Sequence, residues 1–297
     1  MSSRIIAIKL LLLALGVSSL NAQVKPKTQD TTEIIELNNI TFEVKKPAIE
    51  RMKEIDGFSL YSAKKNDVVK LSNLDANLVN NNSRQIFSRV AGVSIWENDG
   101  SGTQISVGVR GLNPNRSWEF NTRQNGYDIS SDVFGYPEAY YNPPMEALEK
   151  IEIVRGGASL QFGSQFGGLL NYVIKREKNN KPFSFESQNT VGSFGMFSSY
   201  NAISGNTKKW NYALYNHYRK GDGWRQNGQY EVRNTHGFLQ YKFNERTSIS
   251  AEYTNMDYKI QQSGGLTDAQ YEIDSRQSFR QRNWFSTPWQ VGNLNFN

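Results

Sequence analysis

The sequence of 297 residues contains no cysteine. This absence excludes a disulfide framework, a thiolate metal site and a lipid-modified N-terminal cysteine. Histidine is scarce as well, with two residues in the whole chain. His217 and His236 lie in separate predicted strands without metal-ligand spacing, so we interpret them as structural residues and not as haem or zinc ligands.

The chain also lacks any apolar run near the roughly 20 residues that a membrane-spanning helix needs. The longest clean run is 10–17; Arg4 and Lys9 lie before it, and Leu20-Asn21-Ala22 comes shortly after. This order of charged, apolar and small residues predicts a secretory signal peptide over residues 1–22. A buried N-terminal helix is the alternative. An exported chain without helical spans is either soluble or a β-barrel.

The charge of the chain is only mildly positive. Its 34 basic and 28 acidic residues give a net charge of +6, which falls to +4 when Arg4 and Lys9 leave with the signal peptide. This excess is too small to indicate nucleic acid binding, although it suits an anionic small ligand. No grouping of nucleophile, base and oxyanion donors occurs, so the sequence does not predict an enzyme.

Residues 23–50 are polar and predict an extended arm, whereas residues 51–177 predict a small α+β domain with large loops. A short helix is predicted over 83–90, with Asn82 or Ser83 as its cap and Gly92 at its end. Strands are expected at 93–96, 104–110 and 150–155, and Pro143-Pro144 predicts a turn that opens one helical turn.

From residue 183 the pattern changes to long strands in which apolar and polar residues alternate. Strands are predicted at 183–191, 195–205, 209–220, 234–243 and 247–259, and a sixth is predicted to begin near Val291. Their length of roughly ten residues is typical of strands that cross a membrane. Short connections at 205–208 and 244–246 alternate with long ones at 221–233 and 260–290, as in outer-membrane barrels.

The stretch 149–176, EKIEIVRGGASLQFGSQFGGLLNYVIKR, holds five glycines between two apolar runs. It does not fit a nucleotide site, because no helix with an acidic partner follows and no Gly-Lys-Ser or Gly-Lys-Thr is present. The stretch instead predicts a strand, a tight turn and a second strand. Gly167 and Gly168 would allow close approach of the backbone where the second strand begins.

These motifs resemble the plug domain of TonB-dependent outer-membrane receptors. The stretch 149–176 is similar to the closing segment of the plug. Val90-Ala-Gly-Val93 and Ile105-Ser-Val-Gly-Val-Arg-Gly-Leu112 are similar to two earlier plug elements, in the same order. Gly111-Leu-Asn-Pro-Asn-Arg116, with Asn125-Gly-Tyr-Asp128 and Phe134-Gly-Tyr-Pro137, most resembles the ferric-dicitrate and siderophore branch.

The resemblance implies an α+β plug domain at 51–177, followed at 183–297 by antiparallel transmembrane β-barrel strands. Such plugged barrels have about 22 strands, and the sequence predicts five and the start of a sixth. Because it stops inside a predicted strand at Asn297, we expect an incomplete barrel, truncated at its C-terminal side.

The implied function is TonB-dependent import of a ferric chelate, citrate or a siderophore, across the outer membrane of a Gram-negative bacterium. The expected partners are a TonB-type periplasmic energy-coupling protein, the chelate and outer-membrane lipid, with no cofactor. The preferred TonB box in the periplasmic arm (23–50) is Ile40, Thr41, Phe42, Glu43 and Val44, with Glu33–Ile35 as second candidate. An extended segment of this kind can be captured by strand addition.

The ligand is expected to meet the plug at its long loops, 113–126 and 130–142. Arg116 and Arg123 could bind carboxylates bidentately, with hydrogen bonds from neighbouring residues. These neighbours are Asn113, Asn115, Gln124 and Tyr136. Both arginines could instead be solvated or pair with Glu119, Asp128 or Asp132.

Two other functions stay open from the sequence. One is a haem or cobalamin receptor of the same architecture. The other is a secreted β-rich protein that binds glycan or protein, in which the Trp- and Tyr-rich strands would form a sugar platform.

Overall fold

The computed structural model describes residues 46–56, 59–62, 66–97, 100–131, 139–163, 165–280 and 283–297. They belong to one compact unit, Lys45–Asn297. The predicted signal peptide and both TonB-box candidates lie outside them. Among the described residues, no helix is both long and apolar enough to cross a membrane.

The first part of the described chain, which we call the plug, is built on a six-stranded sheet with the order β1-β4-β9-β10-β7-β8. Its strands are antiparallel except for β10 beside β7, which are parallel. Two smaller pairs, β2 with β3 and β5 with β6, complete it. The plug elements are β1 (Ile49–Arg51), β2 (Ile55–Asp56), β3 (Ser59–Leu60), β4 (Asp67–Lys70), α1 (Ser83–Phe87), β5 (Val93–Trp96), β6 (Ser106–Val109), β7 (Phe120–Gln124), β8 (Tyr127–Asp128), β9 (Leu148–Val154) and β10 (Gly168–Ile174).

The predicted plug elements are present at nearly the expected positions. Helix α1 is capped by Asn82, whose side chain accepts a hydrogen bond of 3.0 Å from the Gln85 backbone N–H. The turn after Pro143-Pro144 is a short 3₁₀ segment, Met145–Ala147. Strand β9 and strand β10 pair antiparallel on either side of the glycine-rich turn, as the sequence predicted.

One strand of the plug lies where a loop was expected. Strand β7 falls within the predicted loop 113–126 and pairs with β10 near the middle of the sheet. Its side chains alternate between buried and half-buried, with Phe120, Thr122 and Gln124 inside. Because two of these three buried side chains are polar, the segment shows little of the apolar alternation that reveals a strand.

The second part, which we call the wall, is an open sheet of seven antiparallel strands in the order β11-β12-β13-β14-β15-β16, with β17 also pairing with β15. The predicted alternating strands are all present. Their starts lie within two residues of the predicted ones except for that of β14, which begins four residues earlier than predicted. The wall elements are β11 (Ser184–Val191), β12 (Phe197–Asn206), β13 (Trp210–Gly221), β14 (Tyr230–Lys242), β15 (Ser248–Gln261), α2 (Asp268–Ile273), β16 (Trp284–Ser286) and β17 (Trp289–Phe296).

The connections of the wall distinguish its two rims. Residues 207–209 and 243–247 make tight connections at one end, the short-turn rim. Residues 222–229 and 262–283 make longer ones at the other end, the long-loop rim. The five-residue turn 192–196 also lies at the long-loop rim. This connection is an exception to the alternation of short and long connections.

The hydrophobic core joins the plug to the inward face of the wall. One buried cluster contains plug residues such as Phe120 and Ile151 together with wall residues such as Tyr215, Met256 and Tyr258. The opposite face of the wall exposes large apolar side chains, including Trp210 and Leu239. The wall therefore has one face that packs on the plug and one that is open and carries exposed apolar side chains toward the short-turn rim.

Gly168 is required where β10 begins. It has a φ of +125°, and a Cβ atom there would lie 2.2 Å from the Val154 carbonyl oxygen. We therefore expect Gly168→Ala to lower the free energy of unfolding by about 2 kcal/mol or more, from backbone strain and steric overlap. Urea unfolding followed by circular dichroism would measure this loss.

Gly157→Ala is the matched control, because a Cβ at Gly157 meets nothing within 4 Å and its φ is not in the left-handed region. Equal stability of the two variants would contradict this account of the turn.

Candidate functional site

Three of the predicted ligand residues lie together on one turn of the plug. Asn113 is exposed, and its side chain accepts a hydrogen bond of 2.9 Å from the backbone N–H of Asn115. Asn115 and Arg116 are half-buried. The turn therefore presents two amides and one guanidinium within four residues.

This turn is held against strand β6 by a serine pair. The Arg116 backbone N–H donates to Ser106 Oγ at 3.2 Å. Ser117 Oγ donates to the Ile105 carbonyl at 2.6 Å and accepts from the Val107 N–H at 3.0 Å. Arg116 and Ser117 both have left-handed backbones, with φ of 54° and 53°. The turn thus keeps an unfavourable local conformation through tertiary hydrogen bonds.

Arg123 lies on β7 and makes several contacts within the plug. Its guanidinium donates to Asn121 Oδ1 and the Gly126 carbonyl at 2.7 Å each, and to the Phe162 carbonyl at 2.8 Å. Asp128 lies 3.9 Å away, so the ion pair considered from the sequence is present at long range. These bonds use several of the five N–H donors of the side chain.

Gln124, the next residue, faces the wall instead. Its side chain is buried and accepts a hydrogen bond of 2.6 Å from Tyr141 Oη. Its amide nitrogen donates to Tyr127 Oη and, at 3.2 Å, to Thr254 Oγ1 of β15. Gln124 therefore joins the plug to the wall in this structure. Tyr136 lies outside the described residues, and a role in ligand binding stays a prediction for all the chosen residues.

The contacts between plug and wall include charged side chains that sequence reasoning did not single out. Arg219 of β13 is almost fully buried, and its guanidinium donates to the carbonyls of Val79, at 2.6 Å, and Ser101 in the plug. Arg176, just after the plug, pairs with buried Glu252 of β15 and lies 3.7 Å from the centre of the Phe238 ring. In the sequence, these contacts could have been found from charged residues at inward positions of the alternating strands, as at Arg219 and Glu252.

The two histidines lie on the inward face of the wall. His217 Nε2 is 3.3 Å from Ser198 Oγ, and His236 Nδ1 is 2.9 Å from Thr254 Oγ1. The ring of His236 stacks on Tyr215 with centroids 5.3 Å apart. Among the described residues, no group of three or more His, Cys, Asp or Glu side chains could hold a metal ion.

Glu146 is a buried carboxyl group of the plug that faces the wall. Among the described residues its Oε2 has no hydrogen-bond partner, and its Oε1 lies 3.9 Å from His217 Nε2. Burial raises the pKa of Glu146 above 4.5, and Arg219 and Lys175 oppose that rise only in part. The folded protein therefore favours the protonated form of this side chain more strongly than the unfolded chain does.

Glu146 should make the stability of the fold depend on pH. The folded state holds this proton to a higher pH than the unfolded chain does. The contribution of Glu146 to the free energy of unfolding therefore falls as the pH rises above 4.5 toward the pKa of the folded state. Glu146→Gln removes that loss, so we expect the variant to be more stable than the wild type near pH ~7, with the difference shrinking near pH ~4.

Urea unfolding at both pH values tests this, with Glu245→Gln, an exposed carboxyl in the turn 243–247, as control. A difference between Glu146→Gln and wild type that does not vary with pH would contradict the assignment.

The described architecture is that of a plug packed against the inward face of an open sheet of antiparallel strands. Residues 59–169 match the family model of the TonB-dependent receptor plug domain. The chain therefore carries a TonB-dependent receptor plug, followed by strands with the fold of these receptors. The expectation drawn from the motifs at 90–93, 105–112 and 149–176 is confirmed.

Solved structures share this fold at low sequence identity. The chain is similar to the ferric citrate transporter FecA in its unliganded form, with 23% identity, a TM-score of 0.67 and coverage of 79% of this chain and 37% of that one. It is also similar to the ferripyoverdine receptor of the outer membrane of Pseudomonas aeruginosa, with 17% identity, a TM-score of 0.59 and coverage of 77% and 31%.

A third structure with this fold is the copper transporter OprC, with 14% identity, a TM-score of 0.54 and coverage of 67% and 31%. The chain thus spans about a third of the length of each of these proteins. The fold is shared among proteins whose cargoes differ.

Proposed function

We propose that the protein is an outer-membrane receptor that imports a ferric chelate, citrate or a siderophore, with energy supplied through TonB. The observation that carries the proposal is the plug of the TonB-dependent receptor family, packed on the inward face of the wall through a common core. The similarity to a ferric citrate transporter and a ferripyoverdine receptor supports an iron chelate as cargo.

The orientation in the membrane follows from the two rims. Short turns face the periplasm and long loops face the exterior in outer-membrane barrels. The exposed apolar side chains of the outward face, such as Leu214 and Tyr253, would then contact lipid. Gln262 Nε2, beyond the long-loop end of β15, lies 3.5 Å from Gln104 Oε1 of the plug, so residues near Gln104 would be closest to the exterior.

The ligand site we propose is centred on Asn113, Asn115 and Arg116. Their turn packs on residues 105–107, immediately after Gln104. A guanidinium in the same turn as two amides suits a chelate with several carboxylates, because arginine binds a carboxylate through two parallel hydrogen bonds. Arg123, Gln124 and Tyr136 complete the proposed set, with Arg123 and Gln124 also supporting the local structure through their observed bonds.

The ligand role of Arg116 can be tested by substitution. We expect Arg116→Ala to weaken the binding of ferric citrate by roughly 10-fold or more, because a charge-assisted hydrogen bond is lost. Quenching of intrinsic tryptophan fluorescence by ferric citrate would give the dissociation constants. Arg51→Ala is the control, since Arg51 is an exposed arginine of β1 that faces Glu54.

Arg123→Ala should weaken binding and also lower stability, and unfolding measurements on the same sample separate these effects. Unchanged affinity in Arg116→Ala would remove this residue from the site. Binding of haem or cobalamin in place of ferric citrate would favour a receptor of the same architecture for another cargo. Recovery as a soluble secreted protein would instead favour glycan or protein binding.

The energy-coupling partner would bind the N-terminal arm. We propose Ile40–Val44 as the TonB box, because an extended segment with alternating apolar residues can add as a strand to a partner's sheet. Glu33–Ile35 is the second candidate.

Phe42→Pro should separate binding from transport. Proline removes a backbone donor that strand addition needs, so we expect uptake of radiolabelled iron to be lost while ferric citrate binding stays unchanged. Ile34→Pro is the matched control in the second candidate segment. Loss of uptake in Ile34→Pro alone would move the TonB box to that segment.

A further inference from the structure

The same tetrapeptide occurs twice in the chain, and its two copies lie in different surroundings. Residues 123–126 and residues 225–228 both read Arg-Gln-Asn-Gly. Each copy therefore contains one asparagine directly before a glycine, Asn125 in the plug and Asn227 in the wall. A difference in chemical behaviour between these two asparagines cannot come from the tetrapeptide itself, so it has to come from the tertiary structure.

An asparagine that precedes a glycine is open to a spontaneous reaction with the backbone. The glycine nitrogen attacks the side-chain carbonyl carbon of the asparagine and forms a new C–N bond. The side-chain nitrogen leaves as ammonia and takes the proton of the glycine N–H. Water then opens the cyclic imide at either carbonyl, which gives aspartate or isoaspartate. Glycine favours this reaction because it has no Cβ atom to hinder the attack.

In the first copy of the tetrapeptide, hydrogen bonds hold both reacting groups. Asn125 lies in the turn between β7 and β8, where the Gly126 N–H donates to Asn171 Oδ1 at 2.9 Å. The Asn125 side chain is held at both ends, since Nδ2 donates to Glu252 Oε2 at 2.7 Å and Oδ1 accepts from the Ile174 N–H at 3.0 Å. The reaction at Asn125 would therefore require the loss of hydrogen bonds on the nucleophile and on the amide that it attacks.

In the second copy, the nucleophile is not held in this way. Asn227 and Gly228 lie in the connection 222–229 at the long-loop rim. Within the described part of the chain, neither the Gly228 N–H nor Asn227 Oδ1 makes a hydrogen bond. Asn125 and Asn227 are both half-buried and both left-handed, with φ of 47° and 54°. Burial and local conformation are thus alike, and the hydrogen bonds of the reacting groups differ.

The side chain of Asn227 joins the two long connections of the wall. Its Nδ2 donates to the Arg280 carbonyl at 2.8 Å and to Ser278 Oγ at 3.2 Å. A carboxylate at this position has no N–H to donate, and it would face the Arg280 carbonyl, which is another acceptor. Conversion of this one amide would therefore weaken the contact between 222–229 and 262–283.

We propose that Asn227 is a site of spontaneous deamidation through a cyclic imide with Gly228, whereas the fold protects Asn125 in the identical tetrapeptide. As the protein ages, it gains a negative charge at the long-loop rim and loses a bond between its two long connections. The inference does not depend on the imported ligand or on the energy-coupling partner, so its failure would leave the proposed function unchanged.

The test follows both asparagines in the same sample. The full chain in detergent micelles is incubated at mildly alkaline pH, beside a sample unfolded in guanidinium chloride. Trypsin cleaves after Arg123 and Arg225, and chromatography with mass spectrometry separates the asparagine, aspartate and isoaspartate forms of the two peptides. Digestion in heavy-oxygen water labels any conversion that occurs during the digestion itself.

We expect Asn227 to convert at least about 10-fold faster than Asn125 in the folded chain, because the reaction at Asn125 first needs local opening of hydrogen bonds. In the unfolded chain the two rates should agree within about threefold, since the tetrapeptides are identical. Asn171→Ala removes the acceptor of the Gly126 N–H, so it should speed conversion at Asn125 alone. Circular dichroism checks the fold of this variant, and the comparison within the wild type decides if it does not fold.

The effect on the wall is tested with Asn227→Asp, which carries one of the two products. Amide hydrogen exchange of 262–283 should be faster in this variant than in the wild type, since the bond to Arg280 is lost. Asn244→Asp is the matched control at the short-turn rim. Asn244 Oδ1 accepts a hydrogen bond of 2.8 Å from the Arg246 N–H, and an aspartate can accept the same bond.

Equal rates at Asn125 and Asn227 in the folded chain would overturn the proposal, because the fold would then not distinguish the two sites. It would also be overturned if Asn227 stayed unmodified in the folded chain under conditions that convert it in the unfolded chain. Hydrogen exchange that is the same in Asn227→Asp and in the wild type would contradict the role of this side chain in joining the two connections.

Discussion

The structure depends on the hydrogen bonds and ion pairs that buried polar groups make across the junction between plug and wall, because burying a polar group without a partner costs free energy. The guanidinium of Arg219, on the wall, reaches backbone carbonyls of two plug loops. In the other direction, Arg176 reaches Glu252, which also accepts a hydrogen bond of 2.7 Å from Asn125 of the plug. A mostly apolar junction would hold the plug with little preference for register. These directional bonds instead define where each plug loop meets the wall.

The same constraint explains how the plug divides its polar residues. Gln124 faces the wall, where Tyr141 and Thr254 satisfy its amide, whereas Arg123 on the opposite face of β7 is held by carbonyls of the plug. Asn113 stays exposed, because its turn packs against β6 through Ser106 and Ser117 and leaves the tip uncovered. Asn113, Arg123 and Gln124, which are all polar residues of one predicted loop, therefore lie in three different environments. Of the three residues, only Asn113 is exposed.

The fold also requires two places where backbone segments approach too closely for a side chain to fit between them. At Gly167 a Cβ atom would lie 2.6 Å from the Glu119 carbonyl oxygen, and at Gly108 a Cβ atom would lie 2.6 Å from the Leu112 carbonyl oxygen. The first contact brings β10 beside β7, and the second brings the turn 113–117 onto β6. Both glycines thus allow a backbone to approach where a side chain would separate the layers.

The sequence by itself determined the elements whose residues show a local pattern. Asn82 capped a helix, the proline pair opened a turn, and period-two alternation located the wall strands within a few residues. It also predicted the plug through motifs at 105–112 and 149–176. Only the tertiary structure decided what polar residues contact, because a hydrogen bond such as Gln124 to Thr254 joins residues 130 positions apart. Strand β7 was missed for the same physical reason: its stability comes from pairing with β10, distant in sequence, and not from an apolar pattern of its own.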